Sequence, residues 1–267
     1  MEILTAVLLV LAGLTEGLLA GVFDAGGGIV LVPVLLYYLH SIGVSSLVST
    51  HVAMGTSLLV LAFASAFRTW REWRASHVIW QGAFYVIAGG IPGVIVGVSI
   101  AAGLEGPSLR AIFGFVLLVA AVRLFSGKRK QGKELEPRVA LRPLGGIGIA
   151  VGLVSSLSGI GGTLLAVPLM SKSLHFPLRK AIGTANAAVV FTAAAGAMMY
   201  LIRGWGNVLL PAEISGFIDW RPAIPLLMGA VPGGMIGTRM GAKVDVASVR
   251  NAVGVLLLVV MLRMFFL

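Results

Sequence analysis

The chain of 267 residues contains no cysteine, so disulfides, thiolate catalysis and cysteine-held metals are excluded. Charge is scarce too. Only 11% of residues are Asp, Glu, Lys or Arg, whereas a soluble domain carries about 25%. The four histidines, His40, His51, His77 and His175, are scattered and have no metal-ligand spacing, so no metal and no cofactor are expected. No long polar segment offers a soluble domain, and the first residues, "MEILTAVLLV", lack the basic start of a secretory signal. They are read as part of the mature chain.

What is abundant is apolar sequence. Hydrophobic residues make up 58% of the chain, and the mean hydropathy is +1.01. Charge-poor stretches cover about residues 3–38, 46–67, 77–102, 109–125, 144–171, 181–202, 222–238 and 246–267. Most are long enough for the roughly 20 apolar residues that cross a bilayer as helix. The expected fold is therefore an all-α polytopic membrane protein of about 8–10 membrane elements, in the cell inner membrane. The net charge of +10 lies mainly in short loops, where the positive-inside rule accounts for it without nucleic acid.

The chain also repeats itself. "GLLAGVFDAGGGIVLVP" (Gly17–Pro33) matches "GLVSSLSGIGGTLLAVP" (Gly152–Pro168) at an offset of 135. "AMGTS" (Ala53–Ser57) matches "AIGTA" (Ala181–Ala185) at 128. "GGIPGVIVG" (Gly89–Gly97) matches "GAVPGGMIG" (Gly229–Gly237) at 140, as does Arg110–Phe125 with Arg250–Phe265. This divides the chain into a first transmembrane repeat, 1–125, a basic cytoplasmic linker, 126–143, and a second repeat, 144–267. If every long segment crosses once, the repeats are parallel and the basic residues divide 13 to 7 between the faces. If each glycine motif breaks its segment in two, the repeats are inverted. Sixteen basic residues then share one face, leaving Arg110, Arg203, Arg221 and Arg263 opposite. The stronger bias favours inverted repeats with both termini outside.

The break has a physical reason. Ile3–Leu39 as one helix would be roughly 55 Å long, far beyond a hydrocarbon core of about 30 Å. The glycines at Asp24–Gly28 and Ser158–Thr163 are where interruption costs least. Interrupted segments at matching places in two repeats point to a transporter's binding site. Restarting helices would aim N–H groups and their positive dipole ends at a small anion. The expected substrate-binding residues are Gly26, Gly27, Gly28, Thr56, Ser57, Ser158, Gly161, Gly162, Thr163, Thr184 and Asn186. Each has a plainer reading: glycines for close helix packing, hydroxyls bonding their own helix. Asp24 and His51 are candidates for proton coupling, Asp24 alternatively a solvated turn residue. Arg68 is a candidate for drawing anions into a vestibule, or one member of the basic belt beside Trp70, Trp73 and Trp80. A phosphate-loop reading fails, because no Lys-Ser/Thr follows the glycines.

The duplicated motif, "DAGGGIVLVP" and "GIGGTLLAVP", followed by "MGTS"/"IGTA" and the "PG…G" helices, resembles the sulfite exporter TauE/SafE family of membrane permeases. That resemblance implies transport, often efflux, of small sulfur-containing anions such as sulfite or organosulfonates. An uncoupled anion channel and a membrane scaffold or assembly protein remain alternatives. No enzymatic cluster is present, and the partners expected are the anion, the lipid bilayer and, through the G-x-x-x-G faces, a second copy as homodimer.

Overall fold

A computed structural model describes residues 3–23, 28–126 and 139–240. Asp24, Gly26, Gly27, most of the linker and the last apolar stretch lie outside the described residues. Among the described residues nine α-helices follow one another: α1 (Ile3–Phe23), α2 (Gly28–Ser41), α3 (Ser46–Arg74), α4 (Trp80–Ala102), α5 (Gly106–Ser126), α6 (Leu141–Ser158), α7 (Thr163–Ser173), α8 (Leu178–Gly204) and α9 (Trp220–Met240). Among the described residues there are no strands, only an isolated bridge between Ser215 and Ile218. Five of the helices, α1, α3, α4, α6 and α8, are long and apolar enough to cross a membrane by length and composition. The chain is an all-α polytopic membrane protein.

The second long apolar segment is interrupted at its glycine motif, and the first is described up to Phe23 and again from Gly28. The first helix ends at Phe23 and α2 starts at Gly28; α6 ends at Ser158 and α7 starts at Thr163. In the second half the backbone shows why glycine is needed. Gly159 and Gly161 have φ of +65° and +83°, the left-handed region that L side chains avoid. Pro33 and Pro168 stand at the same place, the sixth residue, of α2 and α7.

The bundle is built around α3 and α8, which cross antiparallel. Met54 meets Tyr200, and Leu58 meets Gly196 one turn along each helix. Two outer pairs run parallel. Gly13 and Gly17 of α1 sit on the carbonyls of Leu226 and Ala230 of α9, while Gly148 and Gly152 of α6 sit on Val86 and Gly90 of α4. Gly93 of α4 lies against Ile149, and Gly233 of α9 against Leu14. In each case a β-carbon would collide with the facing backbone, so glycine sets how close the helices come. These contacts occur in matched pairs. Shifting each helix by its repeat offset carries every α4–α6 contact named here onto one between α9 and α1.

The G-x-x-x-G faces at Gly93/Gly97 and Gly233/Gly237 are thus occupied inside the chain, by α6 and α1. A homodimer would need another surface. The apolar core runs along α2, α3 and α8, where Leu31, Val32, Leu35, Val52, Met54, Leu58 and Tyr200 are buried. Trp70, Trp73 and Trp80 are about half exposed, as expected of side chains at a membrane–water interface.

Candidate functional site

The two helix breaks touch. The amide of Gly28, first residue of α2, donates to the Ile160 carbonyl at 3.2 Å. A β-carbon on Gly28 would strike the Gly159 carbonyl and the Ile160 backbone. Ser57, on α3, donates its hydroxyl to the Gly159 carbonyl at 2.8 Å. One half's restarting helix and the other half's break are therefore joined backbone to backbone, with α3 bracing the joint.

The rest of the second break faces apolar side chains. Gly161 lies beside Leu61 of α3 and Val189 of α8, and Gly162 is pressed by Val151 of α6. Leu61 and Val189 occupy matching positions of the two repeats, near the middles of their helices. The break thus sits deep in the bundle where α3 and α8 cross. Ser158 is buried and turned back on its own helix, donating to the Val154 carbonyl at 2.7 Å while its oxygen receives the Ile160 amide at 3.4 Å. Thr163 opens α7 and is 4% exposed. Breaking a helix in the bilayer frees backbone groups that must find partners. Here Ser57, Ser158 and Gly28 supply three of them.

Thr56 and Thr184 do something else. The Thr56 hydroxyl oxygen accepts the amide of Asp219 at 2.9 Å, the residue before α9 begins. The Thr184 oxygen accepts the amide of Ile79 at 3.0 Å, the residue before α4. The two bonds correspond under the repeat offsets, 56 with 184 and 79 with 219. Each threonine satisfies an N–H where a helix of the other half enters the bundle. They do not share a site. Thr56 lies level with about residue 198 of α8, roughly fourteen residues or about 21 Å from Thr184. Of Thr56, Ser57 and Thr184, only Ser57 touches the second break, because α3 and α8 run in opposite directions. Asn186, one half-turn beyond Thr184, is buried.

His51 lies near the start of α3. Its Nε2 is 2.9 Å from the Ala101 carbonyl, its ring stacks on Phe217 at 5.0 Å, and its Nδ1 is buried without a hydrogen-bond partner. The aromatic contact belongs to a loop between α8 and α9, which also ties to α8 by the Phe217 amide donating to Tyr200 at 3.3 Å.

Arg68 is not in an open vestibule. Its side chain is 9% exposed and its guanidinium stands 3.8 Å from the carboxylate of Glu16 on α1, which is fully buried. Sequence reading passed over Glu16, although a lone acid in an apolar run is itself a signal of function. What could not be read was its partner, 52 residues away on another helix.

The family's sequence profile for the sulfite exporter TauE/SafE matches residues 9–264. The chain belongs to the sulfite exporter TauE/SafE family. It is similar to a probable membrane transporter protein of Haemophilus influenzae, 27% identical over 97% of both chains. It is similar also to the probable membrane transporter protein YunE of Bacillus subtilis, 27% identical over 95% of both, and to the probable membrane transporter protein MJ0441 of Methanocaldococcus jannaschii, 23% identical over 94% of both. No solved structure matches the chain. This TauE/SafE member is a multi-pass membrane protein of the transporter type.

Proposed function

We propose that the protein is a permease for small sulfur-containing anions such as sulfite or organosulfonates, and that the anion is held where the two helix breaks meet. The observation that carries this is the Gly28–Ile160 contact, which joins one half's restarting helix to the other half's break. Ser57, the glycines and the start of α7 at Thr163 then surround one point. Backbone N–H groups at a helix start attract an oxyanion without needing a cation. The relatives' shared name, probable membrane transporter protein, supports the transporter class.

In the conformation described, Leu61, Val151 and Val189 close the space before Gly161 and Gly162. An anion reaches the break only when α6–α7 and α3–α8 part, so transport requires the halves to rock. We infer that the halves are inverted repeats. Antiparallel crossing of the equivalent helices α3 and α8 supports an axis lying in the membrane plane. An axis along the membrane normal would leave equivalent helices parallel. The matched α1–α9 and α4–α6 contacts support a two-fold relation between the halves, and the α3–α8 crossing supports its direction.

The test is thermal stabilisation of the purified protein by sulfite, thiosulfate, isethionate, acetate and chloride, since a ligand of the native state raises its apparent stability by mass action. A shift with the sulfur anions that Ser57→Ala weakens supports the site. No shift with any anion, or a shift only with cations, overturns it. Concentrative uptake into liposomes separates a coupled permease from a channel.

A further inference from the structure

Glu16 and Arg68 form an ion pair that is poorly satisfied for its burial. Among the described residues, neither Glu16 oxygen accepts a hydrogen bond and the Arg68 Nε has no partner. Nitrogen and oxygen stand 3.8 Å apart. The one hydrogen bond of the guanidinium goes to Ser65 on its own helix, at 3.0 Å. A charge taken out of water needs both pairing and hydrogen bonds to be stable, and a carboxylate with neither oxygen bonded is an exception that calls for a role.

The pair is also confined to one half. By register, Glu16 holds the place of Val151, and Arg68 holds the place of Gly196. Val151 presses directly against Gly162 of the second break, while Gly196 lies against Leu58 and Val94. The position that touches a break in the second half is therefore an acid in the first, opposite an arginine. Among the described residues, other charges near it are few. The α9 face packed on α1 presents Leu226, Ala230, Gly233, Gly234 and Gly237, with no titratable group. Arg71, one turn on along α3, is engaged by Thr238 of α9 and by Glu72 at 3.9 Å, and Arg239 is exposed. On α2 the titratable groups, Tyr37, Tyr38 and His40, belong to its last two turns, away from Gly28.

We propose that Glu16 and Arg68 are a proton-linked station for the anion on its way to or from the joint at Gly28, eleven residues or about 16 Å along α3 from Ser57: Glu16 takes up a proton as Arg68 takes the substrate anion. The proposal rests on the anion-permease reading above and adds the coupling ion and the residues that carry it. With Glu16 ionised, its charge neutralises Arg68 and repels an incoming oxyanion. When a proton from solution settles on a Glu16 oxygen, the guanidinium keeps its free N–H groups and its full charge, and it binds the oxyanion in place of the carboxylate. One proton then moves with each anion. Release on the other side returns the proton to water and closes the pair again.

The experiment measures binding of thiosulfate and of isethionate, neither of which titrates near neutrality, to the purified full-length protein between pH 5.5 and 8, with a pH dye in weak buffer. In the wild type, affinity should fall as pH rises, by up to about tenfold per unit as one linked proton requires, with about one proton taken up per anion at the alkaline end. Glu16→Gln should bind at pH 8 as tightly as the wild type does at pH 5.5, with no proton uptake. Glu16→Asp should keep the uptake over a displaced range. Arg68→Gln should lose the pH-dependent part of binding and the proton uptake, and Arg68→Lys should regain part of both. If Glu16→Gln keeps the wild-type pH slope and proton uptake, the coupling proposal is wrong and the permease stands. If the wild type binds neither probe, the permease reading for these anions falls, and the coupling falls with it.

Discussion

At Gly28 the protein has no space for even one methyl group, because the position of a β-carbon is taken by the Gly159 carbonyl. Gly28→Ala must push the two breaks apart, at a cost of about 1–3 kcal/mol typical of overpacking. The expected outcome is a lower melting temperature together with weaker anion stabilisation, read in one thermal series. Gly161→Ala tests a different cause: the residue has open neighbours at 3.3 Å or more but a φ of +83°. Its cost should be about 1–2 kcal/mol of backbone strain. Thr56→Val and Thr184→Val each strand one buried N–H, of Asp219 or Ile79, which costs about 1–3 kcal/mol. Both should lower the melting temperature yet leave the anion-dependent shift unchanged. A lost shift would return them to the binding site. The repeat offset pairs these threonines in the sequence, without showing which amides they meet. The amides they satisfy come from the other repeat, 163 and 105 residues away, and only the folded bundle brings them near.

Among the elements, the breaks were the most legible feature. A run too long for the bilayer had to stop somewhere, and in the second half glycine marks the stop, between Ser158 and Thr163. The helix partners were not legible in the same way. Glycines at four-residue spacing announce close packing without saying on what, and a second copy was as good a partner as α6 or α1. The direction of each helix follows from contacts: α3 against α8, and α1 and α6 parallel to α9 and α4. This gives a topology test. Because the chain has no cysteine, single introduced cysteines report without background. Ser76→Cys, between α3 and α4, should label only from the cytoplasmic side. Asn207→Cys, between α8 and α9, should label only from outside. Labelling of both from one side would rule out the inverted arrangement.

Over the whole molecule, two halves share a backbone plan but not a charge plan. Their glycine contacts, threonine bonds and helix pairings correspond, while Glu16, Arg68 and Ser57 have the apolar or unsubstituted counterparts Val151, Gly196 and Ala185. The differences place Ser57 and the buried Glu16–Arg68 pair in one half only. A packed state with Leu61, Val151 and Val189 against the second break fits a carrier that must separate its halves to load. The direct test is uptake of radiolabelled sulfite and thiosulfate into liposomes holding the purified protein, with isethionate, acetate and chloride as competitors. The expected result is saturable uptake that isethionate inhibits and acetate and chloride do not, reduced several-fold by Ser57→Ala. Uptake no greater than in empty liposomes, or uptake inhibited equally by chloride, would contradict it.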